Sequence, residues 1–359
     1  MFIKVVIVIS YQLSLFSHHY KDPPMSTIKA YAVMEAGGKL EPFEYEPGPL
    51  ADHDVEIDVD YCGICHSDLS MINNEWGATQ FPFVPGHEVA GRINSVGKHV
   101  SHLKVGDRVG LGWHSGYCNT CNTCLEGDHN LCSSAQGTLF GRHGGFADRV
   151  RAQATSVVTL PDELSSEKAG PLFCGGVTVY NPMKQFDLKP TAKVAVIGIG
   201  GLGHLALKFL NAWGCEVTAF TSTEAKRTEA LELGAHHTLN SRDDNELKGA
   251  ANSFDLILST VNVNLNWESY VQTLKAKGRL HFLGAVLEPV QLSVFSLMGA
   301  QRSVSSSPVG SPSTISQMLE FSARHKIEPE VEVFDFKDVN TAIDRLENGS
   351  PRFRVVLKN

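Results

Sequence analysis

The sequence predicts an α/β protein of two domains, one of them built on a doubly wound parallel sheet, and three observations carry that expectation. The chain of 359 residues exceeds what a single hydrophobic core usually supports. From Lys193 onward, β-branched runs alternate with amphipathic stretches, the pattern of βαβ units. The first of those runs passes directly into Gly198-x-Gly200-x-x-Gly203, a glycine spacing that opens a helix.

The length belongs to an ordinary globular protein, with 42% hydrophobic and 19% charged residues. A net charge of -8 without a local Lys/Arg cluster leaves no basic footprint for a polyanion, which excludes nucleic acid as a partner. Residues 1–24 stand apart. Phe2 to Phe16 is apolar, but Lys4 is its one positive charge, Ser10, Tyr11 and Gln12 interrupt it, and no small-residue cleavage site follows. The run is also too short to span a bilayer. The expectation is that translation starts at Met25, that residues 1–24 are a start-site artefact or a disordered tail, and that the protein is cytoplasmic, with no membrane partner.

The alternation is justified element by element. Lys193–Ile197 reads as a buried strand, His204–Trp213 as a helix, Glu216–Phe220 as a second strand, Glu224–Leu233 as a helix and Phe254–Ser259 as a strand. Gly198, Gly200, Gly201, Leu202 and Gly203 then form the turn of a dinucleotide fingerprint, where backbone approaches a pyrophosphate and its charge meets a helix N-terminus. An acidic residue that would hold the ribose 2'-hydroxyl of NAD belongs about 20 residues further on. Thr221-Ser222-Thr223 stands there instead, with Lys226 and Arg227 close behind as counter-charges, which favours NADP. The competing view is that Lys226 and Arg227 only face solvent.

Eight cysteines in such a chain point to metal ligands or free thiols rather than disulfides. Cys118-x2-Cys121-x2-Cys124-x7-Cys132 lies in a turn-rich segment and can wrap four thiolates around one ion with no position open, a structural zinc loop at 116–133. A redox pair is the rival reading of that loop. A second set is dispersed: Cys65 in Cys62-Gly-Ile-Cys65-His66-Ser67-Asp68, His87 in Gly86-His87-Glu88-Val-Ala-Gly91, and Cys174 before Gly175-Gly176. Two thiolates and an imidazole make a three-ligand zinc set with a fourth position free for chemistry. Cys62 and Cys215 have no role in either set.

On these residues the chain resembles the zinc-containing medium-chain alcohol dehydrogenases, most closely the cinnamyl-alcohol-dehydrogenase-like branch and its NADPH-dependent aldehyde reductases, from about Thr27 to the end. The family's zinc signature is matched in part, since Ile93 stands where a second glycine is usual. The resemblance implies a GroES-like catalytic domain at 25–178, a Rossmann domain at 179–314 and a return to the catalytic domain at 315–359. It implies Cys65, His87 and Cys174 on a catalytic zinc, with Glu88 beside it as an occasional ligand and Asp68 orienting His87. Ser67 is implied as the proton donor, whereas the histidine that often continues the relay is replaced here by Ser70. Thr221, Ser222 and Lys226 are implied at the 2'-phosphate of NADP(H), Thr178 and the backbone after Thr260 near the nicotinamide, and Arg354 and His66 at the pyrophosphate. Trp76 is implied as a wall of an apolar substrate pocket, with an ordinary core position as its alternative. The resemblance further implies two zinc ions per chain, a homodimer, and reversible hydride transfer between NADPH and an aldehyde. A structural or regulatory protein that keeps the fold without the chemistry is the alternative, and it should have lost an open-site ligand or Ser67.

Overall fold

Strands dominate the first half because apolar residues there recur at alternate positions, so that one face of each strand is buried. Ile28–Ala32 (β1) shows the pattern, burying Ile28, Ala30 and Ala32. In the computed structural model, which describes residues 27–349 and 351–359, it is followed by β2 (Glu41–Tyr45), β3 (Asp54–Ile64), α1 (His66–Ile72) and β4 (Val89–Val96). Then come β5 (Arg108–Leu111), β6 (His114–Gly116), α2 (Asn122–Leu125), β7 (Gln136–Gly137), β8 (Arg149–Gln153), β9 (Val157–Thr159), α3 (Ser166–Ala169) and α4 (Gly175–Gln185). The expectation for residues 1–24 lies outside the described residues.

The second half alternates as anticipated: β10 (Lys193–Ile197), α5 (Gly203–Trp213), β11 (Glu216–Thr221), α6 (Glu224–Glu232), β12 (His237–Asn240) and α7 (Asp244–Gly249). It continues through β13 (Phe254–Ser259), α8 (Trp267–Thr273), β14 (Leu274–Phe282), α9 (Val294–Met298) and β15 (Ser303–Ser306). The chain closes with α10 (Pro312–His325), β16 (Val331–Asp335), α11 (Val339–Glu347) and β17 (Arg354–Lys358).

Six parallel strands run in the order β12-β11-β10-β13-β14-β15. Along β10, Val194 and Val196 pack towards α4, α5 and α10, while Ala195 and Ile197 pack towards α7 and α8. Burial on both faces explains why β10 reads as a continuous apolar run. The strand order reverses between β10 and β13, which opens a crevice beyond their carboxyl ends, at Gly198 and Thr260.

The other half of the fold is organised around a second sheet in the order β16-β17-β3-β4-β5-β9, with β8 also pairing β3. Its core includes Val55, Ile57, Val89, Ile93 and Phe146. Ile93, at the signature's missing glycine, is a buried member of that core, whereas a Cβ on Gly91 would stand 2.0 Å from Asp58 O. The last 45 residues serve both sheets: Ile315, Met318 and Leu319 of α10 join the parallel-sheet core, and β17 pairs with β3 through Val355 and Ile64. No helix among the described residues is long and apolar enough to cross a membrane.

Candidate active site

Four thiols meet within a single loop. Cys118, Cys121, Cys124 and Cys132 surround α2, with sulfur separations of 3.5 Å (Cys132–Cys118), 3.9 Å (Cys118–Cys124) and 3.9 Å (Cys121–Cys132). A tetrahedron of zinc–sulfur bonds of about 2.3 Å has edges of about 3.8 Å, so these thiols fit one zinc ion. Buried Tyr117 packs against Cys124 and Cys132 and closes the cluster on one side.

The dispersed set is assembled by three separate element ends. Cys65 follows β3 and caps α1, His87 precedes β4, and Cys174 caps α4. The donor atoms of Cys65, His87, Glu88 and Cys174 all lie within 4.8 Å of one another, with the two sulfurs 3.9 Å apart. Asp68, fully buried, accepts from the Cys65 N–H at 2.8 Å, from the Gly86 N–H at 2.9 Å and from His87 Nδ1 at 3.1 Å. One carboxylate thereby caps α1 and fixes the imidazole tautomer, leaving the Nε2 lone pair turned to the thiols. His87 Nε2 and Glu88 Oε2 are buried acceptors without a partner, an arrangement that a cation satisfies.

The charges around this set are strongly coupled. The hydrogen bond with Cys174 and the neighbouring His87 hold the Cys65 thiol well below its usual range, which favours the thiolate a metal binds. Burial pushes Glu88 up to about 7 while Arg354 opposes the shift. Arg354 Nη2 donates to Glu88 Oε1 and, at 3.4 Å, to Ile64 O. Gly63 makes room for that carboxylate, since a Cβ there would stand 2.0 Å from Glu88 Oε2.

A cleft of about 780 Å³ separates the two sheets, large enough for a cofactor and a small substrate. Cys65, His66, Ser67 and Trp76 border it on one side, and Gly200, Gly201, Leu202 and Thr260 on the other. Ser67 Oγ is 3.8 Å from Cys65 Sγ. His66 Nε2 accepts from Asn262 Nδ2 at 3.1 Å across the cleft. Trp76 is half-buried, borders the cleft and also packs against the core of the sheet that holds β3 and β4. The glycine turn is forced by sterics: Gly198 has φ +86°, and a Cβ on Gly203 would meet Gly198 O at 1.9 Å. Thr260 Oγ1 donates to that same Gly198 oxygen at 2.7 Å.

At the end of β11 the picture is more selective than the sequence suggested. Lys226 borders the cleft and has no ion-pair partner among the described residues. Arg227, expected as a second counter-charge, is instead committed to Glu246, at 2.9 and 3.2 Å, because α7 brings that carboxylate against α6. Thr221 is buried, Ser222 half-buried, and Glu229 also borders the cleft one turn beyond Lys226. Thr178 is a buried residue of α4 outside the cleft lining, and Arg354 borders the cleft beside Gly201.

Two contributions escaped the sequence. Trp113 sets its ring edge-to-face on His87, with centroids 5.0 Å apart, and touches Trp76 at 6.2 Å. It thus braces a donor and a cleft wall together. Ser70, buried in α1, donates to Glu75 Oε2 at 2.7 Å, and Glu75 is exposed. A serine followed five residues later by a glutamate is the only trace of this pair in the sequence.

Residues 51–162 match the alcohol dehydrogenase GroES-like domain, and residues 201–324 match the zinc-binding dehydrogenase domain. An aldehyde reductase of Synechocystis is 60% identical over 332 residues, covering 92% of this chain and 99% of that protein. A cinnamyl alcohol dehydrogenase of Sorghum bicolor superposes with a TM-score of 0.89 at 38% identity, covering 93% of this chain and 98% of that one. A cinnamyl alcohol dehydrogenase of Helicobacter pylori, solved with NADP(H), gives 0.84 at 32% identity, covering 92% and 98%.

Proposed function

The chain belongs to the zinc-binding alcohol dehydrogenases, in the cinnamyl-alcohol-dehydrogenase-like branch, and we propose that it reduces aldehydes to primary alcohols with NADPH and runs the reverse oxidation. One juxtaposition carries this reading. Cys65 of the three-donor set and Ser67 close to it border the same cleft as the glycine turn of the parallel sheet.

In this reading Cys65, His87 and Cys174 hold a catalytic zinc, Glu88 is the reserve ligand, and Cys118, Cys121, Cys124 and Cys132 hold a structural one. Bound zinc supplies Lewis acidity for a carbonyl and the dinucleotide supplies hydride. Asp68 keeps the His87 lone pair on the donor set through the 3.1 Å contact. The Ser67 hydroxyl, at the cleft wall, donates the proton that completes the alcohol. Ser70 and exposed Glu75, joined at 2.7 Å, offer an exit for proton exchange with water where the relay histidine is missing. Lys226, with Thr221 and Ser222, receives the 2'-phosphate, and its positive charge at the cleft favours NADP over NAD. Gly198, Gly200, Gly201, Leu202 and Gly203 cradle the pyrophosphate, with Arg354 and His66 at its flanks, Thr178 and Thr260 towards the nicotinamide and Trp76 against the substrate.

The same reading places the enzyme in the cytoplasm, where thiolate sites stay reduced. It makes the enzyme a homodimer, in keeping with the exposed Val294, Phe295 and Met298 of α9. The alternative of a regulatory protein without chemistry is not favoured, because every open-site donor and Ser67 are present. The test is a panel of aliphatic and aromatic aldehydes assayed with NADPH and NADH in parallel. Turnover with a clear NADPH preference is expected, and a preference for NADH would overturn the role of residues 221–226.

A further inference from the structure

The second residue of α5, His204, is polar yet fully enclosed in an otherwise apolar part of the helix. Its Nδ1 lies 3.1 Å from Gly200 O, the oxygen that also accepts the His204 backbone N–H at 3.0 Å. A carbonyl can only accept, so the ring proton sits on Nδ1. Burial pushes the imidazole down to about 3, which keeps it neutral at any working pH. The ring also stacks on Phe353, with centroids 4.6 Å apart and planes inclined by 7°. Phe353 immediately precedes Arg354, whose Nη1 lies 3.1 Å from where a Cβ on Gly201 would stand.

We propose that His204 is a positioning residue for the cofactor pyrophosphate, aiming the Gly200–Gly201 peptide with its Nδ1–H and seating Phe353 and Arg354 against the glycine turn with its ring. In a trans peptide the C=O and the following N–H point in opposite directions. Two hydrogen bonds pull the Gly200 carbonyl towards α5, which turns the Gly201 N–H outward to the cleft that both glycines border. An N–H held in that direction meets an anion without reorganising, the source of an oriented donor's advantage. The stack supplies the second half of the device. It couples the turn of one sheet to the segment that enters β17 of the other, so the two walls of the phosphate site are set by one side chain.

The inference rests on the dinucleotide reading above but not on the choice of NADP over NAD, since the pyrophosphate is common to both. Two substitutions separate its parts. His204→Phe keeps a ring for Phe353 and removes the donor, whereas His204→Asn keeps a donor near the Nδ1 position and removes the ring. Zinc-loaded enzyme is titrated with NADPH and with NADH, and kcat at saturating cofactor and the unfolding temperature are recorded alongside. His204→Phe is expected to raise both dissociation constants about five- to tenfold, the worth of one hydrogen bond, while kcat at saturation stays within about twofold. His204→Asn is expected to bind cofactor better than His204→Phe despite unfolding at a lower temperature. Phe353→Leu, which leaves α5 untouched, should raise the same constants about threefold. Wild-type affinity in His204→Phe, or weakening across the variants that merely tracks lost stability, would overturn the proposal. A wild-type preference for NADH would refute the 2'-phosphate reading and leave this one standing.

Discussion

The two thiol clusters use the same element chemistry and are built in opposite ways. Cys118 to Cys132 come from one loop of fifteen residues, and all four corners of the tetrahedron are protein. Cys65, His87 and Cys174 come from three element ends spread over 110 residues, and Cys65 among them borders a cleft. A loop that closes on itself needs little help from the rest of the fold and contributes mainly stability. An open set must be positioned by the surrounding structure, through Asp68 on the His87 ring, Trp113 packed on its face and Arg354 on Glu88. The first cluster therefore answers to its local spacing, and the second to distant packing.

Perturbing one cluster at a time should separate activity from stability. The largest effect is expected from Cys65→Ser, which removes a donor from the open set: kcat should fall by about 10³-fold or more with the unfolding temperature nearly unchanged. Near-normal turnover would take Cys65 out of the site. Cys121→Ser is the counterpart in the closed loop, expected to lower the unfolding temperature by about 10 °C and to release one zinc equivalent. Calorimetry with metal analysis checks this, and an unchanged melting profile would deny the loop its structural task. Asp68→Asn lies between the two, because the carboxylate both caps α1 and orients His87. Zinc affinity at the open set should weaken about 10- to 100-fold while the closed loop keeps its ion, as competition with a chelator would reveal.

The smallest expected effect concerns the half of the molecule built on the parallel sheet. His204 and His281 are fully buried, and burial lowers them to about 3 and about 4 respectively. Unfolded histidine titrates near 6.5, so below that pH the unfolded chain takes up protons that the folded chain refuses. Stability is then fully present above about pH 6.5 and declines as pH falls towards about 4. Unfolding temperatures measured at pH 7 and pH 5 should show the decline, and equal values would contradict it.

What the sequence made legible follows the same division. Local signals survived intact: the cysteine loop, the glycine turn, and strands such as Phe254–Ser259, because each is set by neighbours a few residues away. Misjudged or missed were contacts between distant segments. Arg227 looked free from its place after β11, but its partner Glu246 lies on α7 and is brought near only by the parallel sheet. Trp113 sits among glycines with no periodic signal, so nothing local told of its place on His87. The Glu88–Arg354 pair joins residues 266 positions apart through the pairing of β17 with β3.

The contrast between a closed and an open cluster is tested most directly by zinc counting during mild chelation. The purified chain should carry close to two zinc ions, and a small chelator that reaches the cleft should remove one of them, abolishing aldehyde reduction while the unfolding temperature barely moves. Activity that survives the loss of that ion, or a preparation that is active with no zinc at all, would contradict the account.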